Sequence, residues 1–269
     1  MGIWKRLSRG LAVAEAPSPR GNAGARAYAV GDIHGRLDLL NQLLGQIERD
    51  MTERDGNNRT PKRTFIIFLG DLIDRGPDSA GVVERLRHYH PARATPIFLG
   101  GNHEEVLLRI LAGERKILPA WLKFGGAECA RSYGMDPDRL RVMNEEMAIF
   151  EVQRHVPPEH RAFLDSFADT FRFGDYLFVH AGIRPGVGLD QQSRMDLRWI
   201  REPFLSDGKE HGCMVVHGHT IVPKVDERRN RIAIDTGAYQ TGVLTALAVE
   251  DRGRWLLATR PAESLSVAA

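Results

Sequence analysis

The chain has 269 residues, of which 42% are hydrophobic and 27% are charged. A globular chain of this length buries about 70 to 75% of the surface that its unfolded form exposes, so it can build a core without disulfides. The 37 basic and 35 acidic residues leave a formal net charge of +2. This balance excludes a strong field of either sign, so neither nucleic acid nor a membrane surface is an expected partner.

The two cysteines, Cys129 and Cys213, do not form a Cys-x-x-Cys pair. A structural zinc or iron–sulfur site needs several thiolates at short spacings. We therefore interpret both cysteines as small apolar core residues.

The first 25 residues predict a flexible N-terminal segment ahead of a single domain that spans residues 26–269. The apolar run at residues 11–14 is shorter than the roughly 7 to 15 residues of a signal-peptide core. No segment reaches the roughly 18 apolar residues of a membrane span, so we expect a cytoplasmic protein without a transmembrane segment. We expect a frayed terminus here, and the alternative is that Ile3, Trp4, Leu7 and Leu11 form a small amphipathic stripe on a membrane or a partner.

Strand and helix patterns alternate through the first part of the domain. Apolar runs predict strands at residues 28–30, 64–69 and 95–99, and apolar residues at helical spacing follow each of them, over 37–51, 82–89 and 106–111. A polar stretch predicts a loop over residues 53–62. This repetition indicates an α/β sheet whose site lies beyond the carboxyl ends of its strands.

The pattern changes after residue 115. Residues 119–171 are mainly helical in pattern, with a break at Gly125-Gly126 and a helix start at Pro157-Pro158, which predicts a mostly helical insertion at about 113–172. Five strand-like segments follow, at 176–179, 214–216, 231–234, 243–249 and 255–258. Because little helix separates them, we predict that they form a second sheet packed on the first.

Five short motifs follow strand-like runs and supply oxygen and imidazole ligands. They are Gly31-Asp32-Ile33-His34-Gly35, Gly70-Asp71-Leu72-Ile73-Asp74-Arg75-Gly76, Gly101-Asn102-His103-Glu104, His180-Ala181-Gly182 and His217-Gly218-His219-Thr220. Carboxylate, amide and imidazole groups suit divalent ions such as manganese, iron and zinc. Each motif alone occurs by chance, but the five together predict a two-metal phosphoesterase centre.

The same motifs resemble the signature of calcineurin-like metallophosphoesterases, and within them the bacterial and phage type of serine/threonine phosphoprotein phosphatase. The resemblance extends from about Tyr28 to Leu247 and includes Trp199-Ile200-Arg201-Glu202 and Asp235-Thr236-Gly237-Ala238. It implies an α/β protein, a four-layer α/β/β/α sandwich with a two-metal site at the strand carboxyl ends. It also implies two divalent metal ions as cofactors, with manganese expected in vitro and iron or zinc as alternatives.

The resemblance assigns the metal ligands by position. They are Asp32 and His34 on the first ion, Asp71 on both ions, and Asn102, His180 and His219 on the second. Two ions that share a carboxylate lie about 3.5 to 4 Å apart and lower the pKa of a shared water from about 15.7 towards 7. A bridging hydroxide for in-line attack on phosphorus is then expected at neutral pH.

Four further residues match the family's catalytic positions. Arg75 and, by the local Trp-Ile-Arg match alone, Arg201 are expected to hold the phosphoryl oxygens, because a guanidinium binds phosphate through two parallel hydrogen bonds. For Arg201 the alternative is a solvated salt bridge. His103 is expected to protonate the leaving oxygen, with Asp74 orienting its ring. A proton donor matters because phosphate monoester hydrolysis is among the slowest uncatalysed reactions.

Other candidate residues have more than one interpretation. The final Gly-His-x-His of the wider superfamily has Ile221 in place of its second histidine, so His217 either packs beside the ligands or binds metal itself. Tyr239 either covers the phosphate or packs in the interior. The histidines in polar surroundings are interpreted as surface residues: His88, His90, His155, His160 and His211.

The predicted function is that of a metal-dependent serine/threonine protein phosphatase whose substrate is a phosphoprotein or phosphopeptide. The main alternative is a symmetrical diadenosine tetraphosphate hydrolase, which acts on a dinucleotide polyphosphate. Those enzymes usually have Ala where this chain has Asp74 and Asp where it has Glu104, which favours the phosphatase. A catalytically silent metal-binding interaction module is a lower alternative, because none of the six ligands is missing. Gly100, where protein phosphatases often carry a basic or bulky residue, departs from the family pattern.

Overall fold

Two five-stranded β-sheets form the centre of the fold. The computed structural model describes residues 18–56 and 61–259. The strands are β1 (Ala25–Val30), β2 (Arg63–Phe68), β3 (Thr95–Phe98), β4 (Thr170–Phe173), β5 (Tyr176–Val179), β6 (Met214–His217), β7 (Asp226–Glu227), β8 (Arg231–Ala233), β9 (Thr245–Glu250) and β10 (Gly253–Ala258). The α-helices are α1 (Leu37–Asp55), α2 (Ser79–Arg87), α3 (Asn102–Leu111), α4 (Leu118–Trp121), α5 (Ala127–Ser132), α6 (Pro137–Val142), α7 (Glu145–His155), α8 (Pro158–Asp165), α9 (Arg194–Trp199) and α10 (Ala238–Thr241).

The first sheet has the strand order β10-β9-β1-β2-β3. β1, β2 and β3 are parallel, as strands joined by crossover helices are. β9 pairs antiparallel with the other edge of β1, and β10 continues the sheet as a hairpin with β9. The prediction that residues 243–249 and 255–258 belong to the second sheet was therefore wrong. Close spacing along the chain indicates a hairpin, but it does not decide which sheet has the open edge that receives it.

The second sheet has the strand order β4-β5-β6-β8-β7. Its edge strand β4 is a Thr-Phe-Arg-Phe segment that pairs antiparallel with β5. The predicted helical insertion at about 113–172 includes residues 170–172, so it extends too far. β-Branched and aromatic residues favour a strand, but four residues are too few for periodicity to separate strand from helix.

Helices cover the outer faces of both sheets, which gives four layers. Between the sheets lie buried apolar side chains from each of them, such as Ile67 of β2 and Phe178 of β5. The outer face of the first sheet packs on helices in a large apolar cluster that includes Leu40 of α1. The outer face of the second sheet packs on α9 through Val215 and Leu197. The predicted α/β/β/α sandwich is confirmed.

The helical region between β3 and β4 contains α4 to α8. A π-helical turn at Leu122–Gly126 joins α4 to α5, and its winding breaks at Gly125, where φ is +119°. The predicted break at this glycine pair is confirmed, as is a helix that begins at Pro158. The predicted loop at 53–62 begins later than expected, because α1 continues to Asp55. Residues 57–60 lie outside the described residues.

Residues 18–24 of the predicted N-terminal segment contact turns of both sheets. The amide of Gly21 donates to the carbonyl of Asp251 at 2.7 Å, and the amide of Asp175 donates to the carbonyl of Arg20 at 2.8 Å. Residues 1–17, which include the apolar stripe from Ile3, lie outside the described residues. Across 18–56 and 61–259, none of the helices has the length and apolar character that crossing a membrane requires.

Candidate metal centre

The six predicted metal ligands meet at one edge of the sandwich. They are Asp32 and His34 after β1, Asp71 after β2, Asn102 after β3, His180 after β5 and His219 after β6. The carboxyl ends of parallel strands point to the same edge of a sheet, which is why separate motifs converge here. All six side chains are buried, with exposed fractions of 8% or less.

Backbone carbonyls orient two of the histidines. His34 Nδ1 lies 2.8 Å from the carbonyl oxygen of Ile73, and His180 Nδ1 lies 2.9 Å from that of Leu69. Since a carbonyl oxygen only accepts, each Nδ1 carries the proton and each Nε2 keeps a free lone pair. Metal-binding histidines are commonly oriented in this way.

Asp71 lies between two groups of possible ligand atoms. Its Oδ2 is 3.6 Å from His34 Nε2, and its Oδ1 is 3.4 Å from His180 Nε2. One group combines Asp71 with His34 and His103, and the other combines it with His180 and His219; the ligand atoms of each group lie within 4.8 Å of one another. A carboxylate with one oxygen towards each group has the arrangement that a metal bridge requires.

Asn102 belongs with the second group. Its Oδ1 lies 3.0 Å from His180 Nε2 and 2.8 Å from His219 Nδ1. Burial lowers the pKa of His219 to about 3 and also lowers the pKa of His180. Both imidazoles are therefore neutral at pH 7, which is the form that binds metal.

Asp32 has a buried oxygen without a hydrogen-bond partner. Its Oδ2 accepts from the amide of His219 at 2.9 Å, whereas Oδ1 has no partner within the described part of the chain. Burial, and then the charges of Asp235 and Asp71, raise the pKa of Asp32 well above its usual range. Buried carboxylates in such proximity need a compensating cation. The donor set therefore fits divalent metal ions.

The backbone is left-handed at several of these positions. φ is +46° at His34, +48° at Asp71, +69° at Asp74, +66° at Arg75 and +63° at His219. These are five of the seven non-glycine residues with positive φ in the described ranges. Such residues cost about 1 to 3 kcal/mol each and cluster at functional sites, where they aim side chains.

Two glycines let the motifs approach one another. A methyl group on Gly101 would lie 2.2 Å from Asp71 Oδ1, and one on Gly218 would lie 1.9 Å from Asp32 Oδ1. Cβ atoms are essentially never found below 3.0 Å from a neighbour. Any larger residue at either position would therefore displace a ligand carboxylate.

Glu104 has a positioning role that the sequence analysis missed. Its carboxylate accepts from three backbone amides, those of Leu72 at 2.8 Å and of Asp71 and Gly101 at 2.9 Å. Through these hydrogen bonds, Glu104 connects the start of α3 to the loop that contains Asp71. The Gly-Asn-His-Glu motif contained this signal, because a glutamate in the first turn of a helix commonly caps backbone amides.

We expect Glu104→Gln to lower the free energy of unfolding by about 2 to 4 kcal/mol, because an amide group cannot accept all three hydrogen bonds and leaves buried N–H groups unpaired. Burial and then the charge of Asp71 raise the pKa of Glu104 to about 7, which means that the charged carboxylate is disfavoured when no cation offsets Asp71. Urea unfolding is therefore measured at pH 8 on the manganese-loaded protein, in which bound cations would offset that charge.

The matched control for this prediction is Glu105→Gln on the same helix. Glu105 lies 3.5 Å from Arg198 and 3.8 Å from Arg109. Arg198 keeps its closer partner Asp169 at 2.7 Å in this variant, so its charge is not left unpaired and we expect a loss of about 1 kcal/mol. Equal losses of unfolding free energy in the two variants would show that the backbone hydrogen bonds of Glu104 do not contribute more to stability than the ion pairs of Glu105.

The structure brings His103 and Asp74 together. His103 Nδ1 lies 2.6 Å from Asp74 Oδ2, and both side chains are buried. Burial alone would lower the pKa of His103, but the charge of Asp71 and the hydrogen bond to Asp74 outweigh it and raise that pKa to about 9. The hydrogen bond to Asp74 favours the protonated ring, which is the form that has a proton to donate, as a general acid must.

Arg75 lies beside this pair. Its Nη1 donates to the hydroxyl of Tyr239 at 2.7 Å, and its Nη2 lies 3.2 Å from His103 Nε2. Tyr239 is half-buried and also packs against the ring of His34, with centroids 5.3 Å apart. Tyr239, whose role the sequence left open, therefore both packs and holds the guanidinium in place.

Arg201 lies within electrostatic range of His219. It is exposed, and its charge contributes to the lowered pKa of His219 after burial and the charge of His180. The structure thus places the two predicted phosphate-binding arginines near different ligand groups. A phosphate role for Arg201 stays a prediction.

His217 lies outside both groups of ligand atoms found among the described residues. It is fully buried and packs edge-on against Phe204, with ring centroids 5.1 Å apart, while its Nδ1 lies 3.0 Å from the carbonyl of Gly218. These contacts favour the packing interpretation over a metal ligand.

His160 is not a surface residue, so that prediction was wrong. Its exposed fraction is 6%, with Nδ1 3.0 Å from the Tyr133 hydroxyl and Nε2 2.9 Å from Glu84. The polar neighbours along the chain gave no sign of this, because the partners come from the residue that follows α5 and from α2.

The space beside Gly100 is filled by Arg198 of α9. A methyl group at position 100 would lie 2.7 Å from the Arg198 guanidinium, which is buried and paired with Asp169 at 2.7 Å. A cation from another helix thus occupies the place of the basic side chain that protein phosphatases often carry at position 100.

The four-layer sandwich and its paired groups of carboxylate and imidazole ligands define a metal-dependent phosphoester hydrolase. The model of the calcineurin-like phosphoesterase family matches residues 25–243. The chain therefore belongs to that family, and the resemblance seen in the motifs is confirmed.

Relatives of the chain carry two kinds of name. The serine/threonine-protein phosphatase 1 of Salmonella typhimurium is 27% identical over 235 residues, covering 83% of this chain and 91% of its own. The symmetrical bis(5'-nucleosyl)-tetraphosphatase of Methylococcus capsulatus is 33% identical over 269 residues, covering 83% of this chain and 91% of its own. A solved structure provisionally described as a diadenosine tetraphosphatase has a TM-score of 0.61 at 20% identity, covering 91% of this chain and 99% of its own. The relatives share the hydrolase class and differ in substrate.

Proposed function

We propose that this hydrolase is a serine/threonine phosphoprotein phosphatase. The observation that carries the proposal is the 2.6 Å contact between Asp74 Oδ2 and His103 Nδ1. A serine or threonine alkoxide is a very poor leaving group, so its departure depends on a proton donor. A buried imidazole with a fixed orientation supplies one.

A dinucleotide substrate makes a weaker demand on such an acid. Cleavage of diadenosine tetraphosphate between two phosphates releases a phosphate oxygen with a pKa of about 6, which leaves as an anion at neutral pH. The Asp74–His103 pair therefore suits phosphoserine better. The 33% identity to a symmetrical tetraphosphatase favours the dinucleotide as the second candidate.

The metal ions are assigned to the residues that the family match implies. Asp32 and His34 would hold the first ion, Asp71 both ions, and Asn102, His180 and His219 the second. When bound, such ions lower the pKa of water and neutralise phosphate charge. We propose manganese as the working metal in vitro, with iron or zinc as alternatives.

The chain's own residues hold the phosphoryl group and supply the proton. Arg75, beside His103, would bind the phosphoryl oxygens from one side and Arg201 from the other. His103 Nε2, on the far side of the ring from Asp74, would give its proton to the departing oxygen.

We expect the manganese-loaded protein to hydrolyse phosphoserine and phosphothreonine peptides with a higher kcat/KM than it cleaves diadenosine tetraphosphate. The Asp74–His103 pair would supply the proton that the serine or threonine oxygen needs on leaving, and the dinucleotide gains little from it. Released phosphate and nucleotides are measured on one preparation, with a phosphotyrosine peptide as a third substrate.

A clear preference for the dinucleotide would make the second candidate the function. Metal binding without hydrolysis of any of these substrates would instead indicate a silent interaction module.

A further inference from the structure

Asp74 is held from two sides. His103 Nδ1 lies 2.6 Å from its Oδ2, and the indole N–H of Trp121 donates to both Oδ1 and Oδ2 at 3.1 Å. Asp74 is fully buried, and Trp121 is 3% exposed. Trp121 comes from α4 in the helical region, 47 positions away along the chain, and no role for it follows from the motifs.

The indole contact restricts the carboxylate. A carboxylate can rotate about its Cβ–Cγ bond, and only some orientations present an oxygen to His103. A single donor that is shared equally by both oxygens favours one rotational orientation of the Asp74 carboxylate. Hydrogen bonds to an ionised group are also about twice as strong as those between neutral groups. The buried Cys129 thiol is another polar group near Asp74, but a thiol is a weak donor.

The π-helical turn at Leu122–Gly126 holds the Trp121 indole in position. A methyl group on Gly126 would lie 2.2 Å from the Trp121 ring, so the ring lies directly on this glycine. The carbonyl of Gly125 accepts from the amide of Arg75 at 2.9 Å. Residues 121–126 therefore contact both Asp74, through the indole of Trp121, and Arg75, through the carbonyl of Gly125.

We propose that Trp121 is a positioning residue for protonation of the leaving group. Its N–H fixes the Asp74 carboxylate, which in turn holds the His103 ring with Nε2 towards the scissile bond. As the phosphorus–oxygen bond breaks, the leaving oxygen takes the electron pair and the Nε2 proton. The attacking water oxygen bonds to phosphorus and releases one of its protons to solvent, and the neutral ring then regains a proton from solvent. The inference rests on the acid role of His103 in the proposed function, but not on which phosphoester is the natural substrate.

The test is Trp121→Phe assayed on two aryl phosphates with the same phosphoryl group. Phenolate is strongly basic, with a pKa of about 10, whereas p-nitrophenolate leaves readily without a proton. General acid catalysis is worth about 10² to 10⁴-fold, and loss of orientation should remove part of it. We expect kcat for phenyl phosphate to fall about tenfold and kcat for p-nitrophenyl phosphate to fall less than about twofold.

Trp255→Phe is the matched control. Its indole N–H donates to Asp50 Oδ2 at 3.1 Å, so the same bond type is deleted on β10, remote from the centre. Both aryl phosphates should keep rates within about twofold of the wild type in this variant.

A double-mutant cycle tests whether Trp121 acts through Asp74. In the Asp74→Asn background, Trp121→Phe should change the ratio of the two rates by less than about twofold. The same cycle, measured by urea unfolding of the metal-free proteins, should also be non-additive, because the two side chains share one hydrogen bond.

The outcomes separate the Trp121 proposal from the proposed function. Equal slowing of both aryl phosphates, or additive effects in the cycle, would overturn the positioning role. Failure on phosphopeptides by the wild type would overturn the proposed function, while the aryl phosphate ratio still tests Trp121. If Trp121→Phe fails to fold, site-specific 3-(benzothiophen-3-yl)alanine at position 121 replaces the N–H by sulfur and keeps the ring shape. We then expect the same ratio of the rate losses for phenyl phosphate and p-nitrophenyl phosphate.

Discussion

His103→Ala is expected to slow hydrolysis of a phosphoserine peptide by about 10² to 10⁴-fold and to slow p-nitrophenyl phosphate far less. The importance of an acid scales with how much the leaving oxygen needs a proton, and a serine alkoxide needs one where p-nitrophenolate does not. Asp74→Asn should also slow the phosphoserine peptide more than p-nitrophenyl phosphate, but by a smaller factor than His103→Ala does. Asp74 acts only through the His103 ring, which it contacts at 2.6 Å. Steady-state kcat for both substrates gives the comparison.

Arg75→Ala provides the contrast. The phosphoryl group that Arg75 is proposed to bind is the same in both substrates, so its loss should slow them by similar factors. If His103→Ala also slowed both substrates equally, His103 would be a phosphate-binding or positioning group and the acid assignment would fail.

Asp71→Asn is expected to abolish binding of both metal ions and to reduce turnover to background. Asp71 lies 3.6 Å from His34 and 3.4 Å from His180, and the substitution removes the one negative charge that both ion positions share. Metal content per chain after gel filtration is the direct measurement. In the wild type, a chelator should abolish turnover and manganese should restore it.

His217→Ala is the control for the metal prediction. His217 is buried within 5.1 Å of the Phe204 ring and outside both ligand groups, so this variant should bind metal and retain measurable activity. Two bound ions in Asp71→Asn, or none in His217→Ala, would show that the assigned ligand set is incorrect.

The meeting place of the ligands could be predicted from the sequence because it follows from a local rule. A strand that is closely followed by Asp32, Asp71 or Asn102 brings that side chain to the sheet edge at which its parallel neighbours also end. Recognising strands followed by oxygen or imidazole groups was therefore sufficient to predict convergence. No knowledge of distant contacts was needed.

The features that were missed depend on partners far away in the chain. Glu104 accepts from the amide of Asp71, 33 positions earlier, and Trp121 donates to Asp74, 47 positions earlier. The hairpin of β9 and β10 joins the first sheet because β1 has a free edge, which no pattern within the hairpin records. Local patterns indicate what an element is, whereas packing decides what it touches.

The pairing of β1 with β9 sets an order for folding during synthesis. Ala29 lies opposite Leu247, so one edge of β1 has no partner until roughly 200 further residues have left the ribosome. At about 5 to 20 residues per second, that interval is roughly 10 to 40 s. An unpaired strand edge can add a strand from another chain during this time. The nascent protein is therefore open to misassociation along β1, the strand that leads directly into Asp32 and His34.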